Sequence, residues 1–372
     1  MKVRKIDTEN PDDVERFVRF PFQLYRGSRL WVPPLLSDAR KVLNRQRHPT
    51  YQHASADFFL AEHNGQTLGR IGVIHNRKHN EYRKVKAAFF GYFEVIEDLE
   101  VAQALFQAAY EWARANGLQE IIGPRGLMGT DGGGLLVEGF EHRPAMGMPY
   151  NPAYYESFLL DAGFRKDTDH LSGYVRGDHP LPERIHRIAE QMKTRRGFWI
   201  KTFDSKDEMR QWAPRVVQVH QRSFTENFEF FPLTSAEADM AAHSIISICH
   251  PRLVKLVMKG EDIIGFIIAY QDLSAGLQRA GGRVWPFGWL HLLIEQRRTE
   301  WVNVNGAGII PEHVGVGANT VLYTELAKTI YDFGFKHADI VQVNEVNSAS
   351  RSDMETIGVR WYKRHRSYRQ AL

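Results

Sequence analysis

WVNVNGAGIIPEHVGVGAN, Trp301 to Asn319, is an apolar run that stops at a proline and continues through two closely spaced glycines. Trp301 to Ile310 reads as a strand and Val321 to Phe333 as a helix, with Pro311 to Asn319 joining them. The first amides of a helix lack intrahelical partners and sit at the positive end of its dipole, so this junction suits an anion. Gly315 and Gly317 carry no Cβ, which lets a bulky pyrophosphate reach the main chain. Val314, Gly315, Val316, Gly317, Ala318 and Asn319 are therefore the candidate cofactor ligands. A short Gly-x-Gly is unspecific alone; the strand–loop–helix order gives it weight.

Working outward, Ile340 to Asn344 reads as a strand, Ser348 to Ile357 as a short helix and Trp361 to Tyr368 as a last strand. Upstream, Leu253 to Met258 and Ile263 to Tyr270 form a hairpin, preceded by strand Phe198 to Phe203 and a helix from Lys206 that Pro214 is expected to break. The first half has the same order. Val3 to Ile6 is a strand and Asn10 opens a helix through Leu24. Asp57 to Glu62 and Thr67 to His75 pair across Asn64-Gly65. Lys86 to Val95 is a strand, Leu99 to Asn116 an amphipathic helix, Ile121 to Gly123 a strand and Asn151 to Ala162 a helix. The repeat is one of architecture. It implies an α/β fold of two tandem domains, residues 1–178 and 179–372, each a mixed sheet flanked by helices. His179-Pro180-Leu181-Pro182 marks the boundary, and Glu183 to Arg195 reads as a linking helix.

The 372 residues suffice for two domains. Lys and Arg number 48 against 44 Asp and Glu, a net charge of +4. That is too weak to argue for nucleic acid. The single cysteine, Cys249, excludes an intramolecular disulfide and reads as a small core residue. His53, His63, His75 and His79 show no metal-ligand spacing, so no metal is assigned. The N-terminus has no signal-peptide pattern, and no apolar run reaches the roughly 20 residues that span a bilayer. A cytoplasmic protein is expected.

The segment Ile309 to Ala318 resembles the acetyl-CoA signature of the GNAT (Gcn5-related N-acetyltransferase) superfamily. It matches both glycine positions and has Glu312 where that signature has Gln or Arg. A carboxylate there is expected to repel the pyrophosphate. Trp31-Val32-Pro33-Pro34-Leu35, Gly69-Arg70-Ile71, Phe90-Gly91-Tyr92-Phe93-Glu94 and Tyr150-Asn151-Pro152 extend the likeness to a subgroup of bacterial tandem GNAT proteins. The resemblance implies acetyl-CoA or a longer acyl-CoA as co-substrate, and a primary amine acceptor, either a small molecule or a lipid such as a long-chain sphingoid base. It implies that Ile309 and Ile310 offer a backbone edge to pantetheine, with Asn344 and Asn347 near the thioester.

An amine must lose a proton before attack. Glu345, His313 and Glu300 are the candidates, with Asn347 as a further catalytic residue or a simple helix cap. Tyr323 and Tyr331 read as packing residues rather than acids. Asn227, Glu229 and Phe231 lie in an aromatic loop suited to an acceptor pocket or to anchoring alone. The first half lacks glycines before its helix and has the acidic run Glu94 to Glu100, so it is not expected to bind CoA. Gly132-Gly133-Gly134 is read as a gate or a flexible turn. Trp285 to Ile294 with Arg297-Arg298 reads as a helix packed on its own domain; the other reading rests it on anionic lipid at the inner face of a membrane. Arg360 to Arg369 alternates like a half-exposed strand. No protein partner is required. The competing functions are an aminoacyl transferase using charged tRNA and a non-catalytic acyl-CoA-binding protein.

Overall fold

In the computed structural model, which describes residues 1–372, the chain opens with β1 (Lys2–Lys5) and α1 (Pro11–Leu24). Asn10 caps α1 by accepting from the Asp12 amide, and Pro11 occupies a first-turn position where no donor is missed. Then come α2 (Leu36–Leu43), β2 (Ala54–His63), β3 (Gln66–Asn76), α3 (Arg77–Arg83), β4 (Ala87–Val95), α4 (Leu99–Ala115), β5 (Glu120–Gly123), β6 (Leu135–Glu138), α5 (Tyr154–Asp161) and β7 (Arg165–Arg176). The second series is α6 (Glu183–Arg196), β8 (Phe198–Lys201), α7 (Lys206–Ser223), α8 (Ser235–Ile248), β9 (Val254–Lys259) and β10 (Asp262–Gln271). It continues through α9 (Ser274–Ala280), α10 (Gly288–Arg298), β11 (Trp301–Ile309), α11 (Ala318–Asp332), β12 (His337–Asn344), α12 (Ser348–Thr356) and β13 (Arg360–Ala371).

These elements form two units that no single cut in the chain separates. One comprises Met1–His170, Ser274–Ile294 and Lys363–Leu372; the other comprises Leu171–Leu273 and Glu295–Tyr362. In the first, the strand order is β1-β2-β3-β4-β5-β13, with β6 also on β13. Asn64 and Gly65 turn the β2–β3 hairpin with φ of 48° and 78°, the left-handed geometry that such a pair supplies. Ile71 and Val73 of β3 pack with Phe106 of α4, while Ile74 packs with Phe17 of α1 and Phe58. The sheet is thus a middle layer between two apolar clusters. Each fully buried aromatic or aliphatic side chain contributes roughly 1.5–3 kcal/mol.

β13 is more than a half-exposed strand. Lys363 and His365 are buried, and Arg364 and Arg366 reach the buried carboxylate of Asp169 at 2.9 and 2.7 Å. Burial works against this carboxylate's charge, but hydrogen bonds from Arg366, Lys166 and Arg364 hold its pKa well below the usual range.

The second unit orders its strands β7-β12-β11-β10-β9-β8. α7 runs unbroken from Lys206 through Pro214, contrary to the expected break. Ser205 caps it at Glu208, and its tertiary packing outweighs the missing interior donor.

Candidate functional site

β11 and β12 are parallel and paired only from Trp301–His337 to Val304–Ile340. β11 runs on to Ile309 and β12 to Asn344, so the two strands part at their C-terminal ends. At the parting point β11 carries one residue more than β10. Ile267 opposes Ala307 while Ala269 opposes Val304, and Gly306 takes a φ of 97°. Such a bulge bends and twists its strand, here away from β12. The β12-facing edge of Asn305 to Ile309 is left to pair with an extended ligand.

Ile310 leads into a single 3-10 turn, Pro311–His313, and then into the glycine loop. Gly315 has a φ of 75°, and a Cβ there would meet open space. Gly317, at 84°, is the N-cap of α11 and offers no side-chain cap to the first-turn amides. A Cβ on Gly317 would lie 3.0 Å from Met192 Cγ of α6, a tight contact, and the positive φ favours glycine there whatever the space. Just beyond Met192, Arg195 and Arg196 belong to the basic last turn of α6. Asn319 turns its amide to Asp353 of α12, and Tyr323 bonds the same carboxylate. Burial raises the pKa of Asp353. Glu312 does not stand uncompensated: Arg222 at the end of α7 meets it at 2.8 Å. Open amides, glycine space and a neutralised carboxylate fit a phosphate-bearing cofactor.

The first unit repeats this geometry and closes it. β4 and β5 are parallel only from Ala87–Glu120 to Phe89–Ile122. β4 also carries an extra residue against β3, near Tyr92 with its φ of 51°. Here the gap is filled by the chain itself. Arg125 N donates to Phe90 O at 2.9 Å, Leu127 N to the Tyr92 hydroxyl at 3.0 Å, and Gly134 N to Pro124 O at 2.8 Å. Gly91 has no room for a Cβ, which would collide with the Arg125 carbonyl. The triple-glycine segment is therefore packed rather than hinged. The helix that follows, α4, is capped by Asp98, whose carboxylate accepts from Glu100 N and Val101 N. In one unit the splay and the helix amides are open; in the other both are occupied.

No family model matches the sequence. Over 370 residues the chain is 24% identical to Protein YghO of Escherichia coli (strain K12), covering 98% of this chain and 94% of that protein. Over 377 residues it is 25% identical to the Bacterial ceramide synthase of Caulobacter vibrioides (strain NA1000 / CB15N), covering 99% and 97%. It is similar along 100% of its length to 98% of a solved tandem GNAT protein from the clavulanic acid biosynthesis pathway, with a TM-score of 0.58 at 12% identity. The chain has the tandem GNAT fold. A GCN5-related N-acetyltransferase from Anabaena variabilis ATCC 29413 also matches, with a TM-score of 0.52 at 9% identity over 99% of this chain and 72% of that one.

Within this GNAT fold the sequence candidates separate. Ile309 and Ile310 close β11 beside the cradle, and Asn344 and Glu345 stand at the parted end of β12. Asn344 Oδ1 accepts from Val346 N, and the Glu345 carbonyl accepts from Arg351. Asn347 caps α12, accepting from Ser350 N at 3.0 Å, the simpler of its two readings. His313 turns its ring edge-on to Phe198 of β8, with Nδ1 enclosed and without a partner. Glu300 is not near the site. It ion-pairs with Lys336 at the other end of β11, roughly 15–30 Å from the free edge of Asn305 to Ile309 at about 3.3 Å per strand residue. Tyr331 does not pack; it is 69% exposed. Asn227 and Glu229 are half-buried and Phe231 is buried, in the loop that α7 feeds.

Sequence reading missed the groups on the sheet face that α7 covers. A Cβ on Gly308 would lie 2.8 Å from Ser223 Cβ and 2.9 Å from the Phe266 ring, so the last turn of α7 lies directly over β11. His220, one turn earlier, stacks on Phe266 at 5.7 Å, and burial lowers its pKa. Phe266 and Tyr270 share one face of β10, and the Tyr270 hydroxyl accepts from Asn305. Asn303 bonds Asp272 at 3.3 Å, and Tyr362 donates to Asp339 at 2.8 Å. The available signal was polar residues, Asn303, Asn305 and Asp339, inside otherwise apolar central strands. Cys249 is a core thiol, bonded to Ala269 O and pushed up to about 12 by burial.

Proposed function

We propose that the protein is an acyl-CoA-dependent N-acyltransferase that works in its second unit and acylates a primary amine of the long-chain or lipid class. The observation that carries this reading is the parted β11–β12 pair feeding an uncapped, glycine-lined helix start. When bound, the co-substrate supplies an acyl group activated as a thioester. The amides of Gly315 to Asn319 would hold its pyrophosphate, and the free edge of Asn305 to Ile309 would align its pantetheine. The acceptor enters on the α7 face, beneath the Asn227 to Phe231 loop. The new C–N bond forms as the C–S bond breaks, so one proton leaves the amine and one reaches the thiolate. His220 is neutral near pH 7 and is the base this geometry favours, with Glu345 across the splay as the sequence candidate. The whole-length likeness to a protein named a bacterial ceramide synthase supports a lipid amine. The filled splay and the Asp98 cap support a first unit that shapes the protein without binding CoA.

The test is thermal stability with acetyl-CoA and palmitoyl-CoA, followed by thiol release across short and sphingoid amines. A ligand at a hundred times its Kd stabilises by about 2.7 kcal/mol. Gly315→Glu and Gly317→Glu should abolish that shift; both positions have a positive φ that strains any side chain, so the melting temperature of each variant without ligand is measured beside the parent's to separate ligand loss from misfolding. No shift with either thioester at millimolar concentration would sink the reading.

A further inference from the structure

α10 is built inside out. Trp289, Leu290, Leu293, Ile294 and Arg297 are spaced i, i+1, i+4, i+5 and i+8, which places them on one face, and all five are exposed. The inward side carries His291, Leu292, Glu295 and Gln296, all half-buried, and Gly288, whose Cβ would collide with the Arg283 carbonyl. The preceding turn adds Trp285 at 78% exposure and Phe287 at 69%. An ordinary surface helix turns its apolar stripe inward, so this arrangement needs an external partner.

Charge selects the partner. From Ser274 to Thr299 there are four arginines and one acidic residue, Glu295. Arg283, Arg297 and Arg298 make no ion pair, whereas Arg40, Arg222, Arg364 and Arg366 each meet a carboxylate. A second copy docked symmetrically on this patch would face guanidinium groups with guanidinium groups. An anionic bilayer would receive them. Indole and phenyl rings suit the headgroup boundary, leucine and isoleucine enter below it, and arginines extend to the phosphates. No helix of the chain is long and apolar enough to cross a membrane, so the contact is with the surface.

We infer that Trp285, Phe287 and the outer face of α10 dock this protein on an anionic lipid surface, with Arg283, Arg297 and Arg298 contacting the headgroups. The inference does not depend on acyl transfer, because it concerns a surface outside the CoA cradle.

Flotation of the full chain with phosphatidylcholine vesicles, with and without phosphatidylglycerol, tests it. Binding should require the anionic lipid. Arg297→Glu with Arg298→Glu, and separately Trp285→Ser with Phe287→Ser and Leu293→Ser, should each weaken it by about tenfold or more. Melting temperature and the acyl-CoA shift should stay unchanged, since all five side chains face outward. Three results would overturn it: no flotation of the parent with anionic vesicles, flotation of both variants like the parent, or a parent dimer by light scattering that the apolar variant dissolves.

Discussion

Arg222 Nη2 lies 2.8 Å from Glu312 Oε1, so the only acidic side chain of the cradle loop meets a guanidinium from the end of α7. Both groups are more than half exposed, and an exposed pair adds at most about 1 kcal/mol to stability. Its effect is on the ligand instead. With Arg222 present, the loop shows a pyrophosphate no net negative charge; without it, Glu312 repels. Arg222→Ala should weaken acetyl-CoA binding roughly threefold to tenfold at low salt, with the difference shrinking as salt screens it. Glu312→Gln should leave binding equal or tighter. Calorimetric titration at two ionic strengths would decide; equal weakening by both substitutions would contradict this account.

His220 gives a prediction with a definite sign. Burial against Phe266 and Phe224 lowers its pKa, so its base form persists to pH values below the usual imidazole midpoint near 6.5. Acyl transfer should be flat above about pH 6.5 and fall on the acid side, following the lowered pKa. His220→Gln should reduce kcat by about a hundredfold or more and remove that acid limb, while acetyl-CoA affinity changes little. Were the limb to survive in His220→Gln and vanish in Glu345→Gln, the base would be Glu345.

The fold was legible where the chain obeys local rules. Asn64-Gly65, the apolar face of α4 and the glycines after Ile310 each force one conformation, and each lies where the sequence places it. The cradle could be read because backbone geometry builds it. The sheet face that α7 covers could not, since His220, Asn303, Asp339 and Tyr362 come from separate elements and are brought to it only by packing and sheet register. β7 was missed for a related reason. Its buried Asp169 looks wrong for a strand until Arg364 and Arg366, nearly two hundred residues later, come to pair with it. Arg222 and Glu312 are also a pairing across distant sequence, and reading Glu312 alone gives only the repulsion.

His365 should dominate stability between mildly acidic and neutral pH. Its ring is fully buried, Nε2 bonds Pro149 O, and burial pushes its pKa down to about 4 from 6.5. In that interval the unfolded chain takes up a proton that the folded one refuses. Stability is therefore intact above about pH 6.5 and declines as pH falls toward 4, by about 3 kcal/mol in all. His365→Gln should flatten this slope in denaturant melts at a series of pH values. Other buried histidines remain in both proteins, so the difference belongs to His365. An unchanged slope would show that the ring charges without loss.

Gly91 tests whether the first unit's closed splay is structural. A Cβ there must displace the Arg125 carbonyl, and with it the Arg125 amide bonded to Phe90 O. That in turn loosens Leu127, held by the Tyr92 hydroxyl, and the glycines that follow. Overpacking of this kind costs about 1–3 kcal/mol, so Gly91→Ala should lower the melting temperature clearly. The cradle lies in the other unit and shares none of these bonds, so the Kd for acetyl-CoA measured below the melting transition should not move. Hydrogen exchange should show the loss of protection confined to residues 90–92 and 124–134. If Gly91→Ala instead gained a second acyl-CoA equivalent with no loss of stability, the segment 124–134 would be a displaceable lid over a working site, and the first unit would be a second catalytic domain.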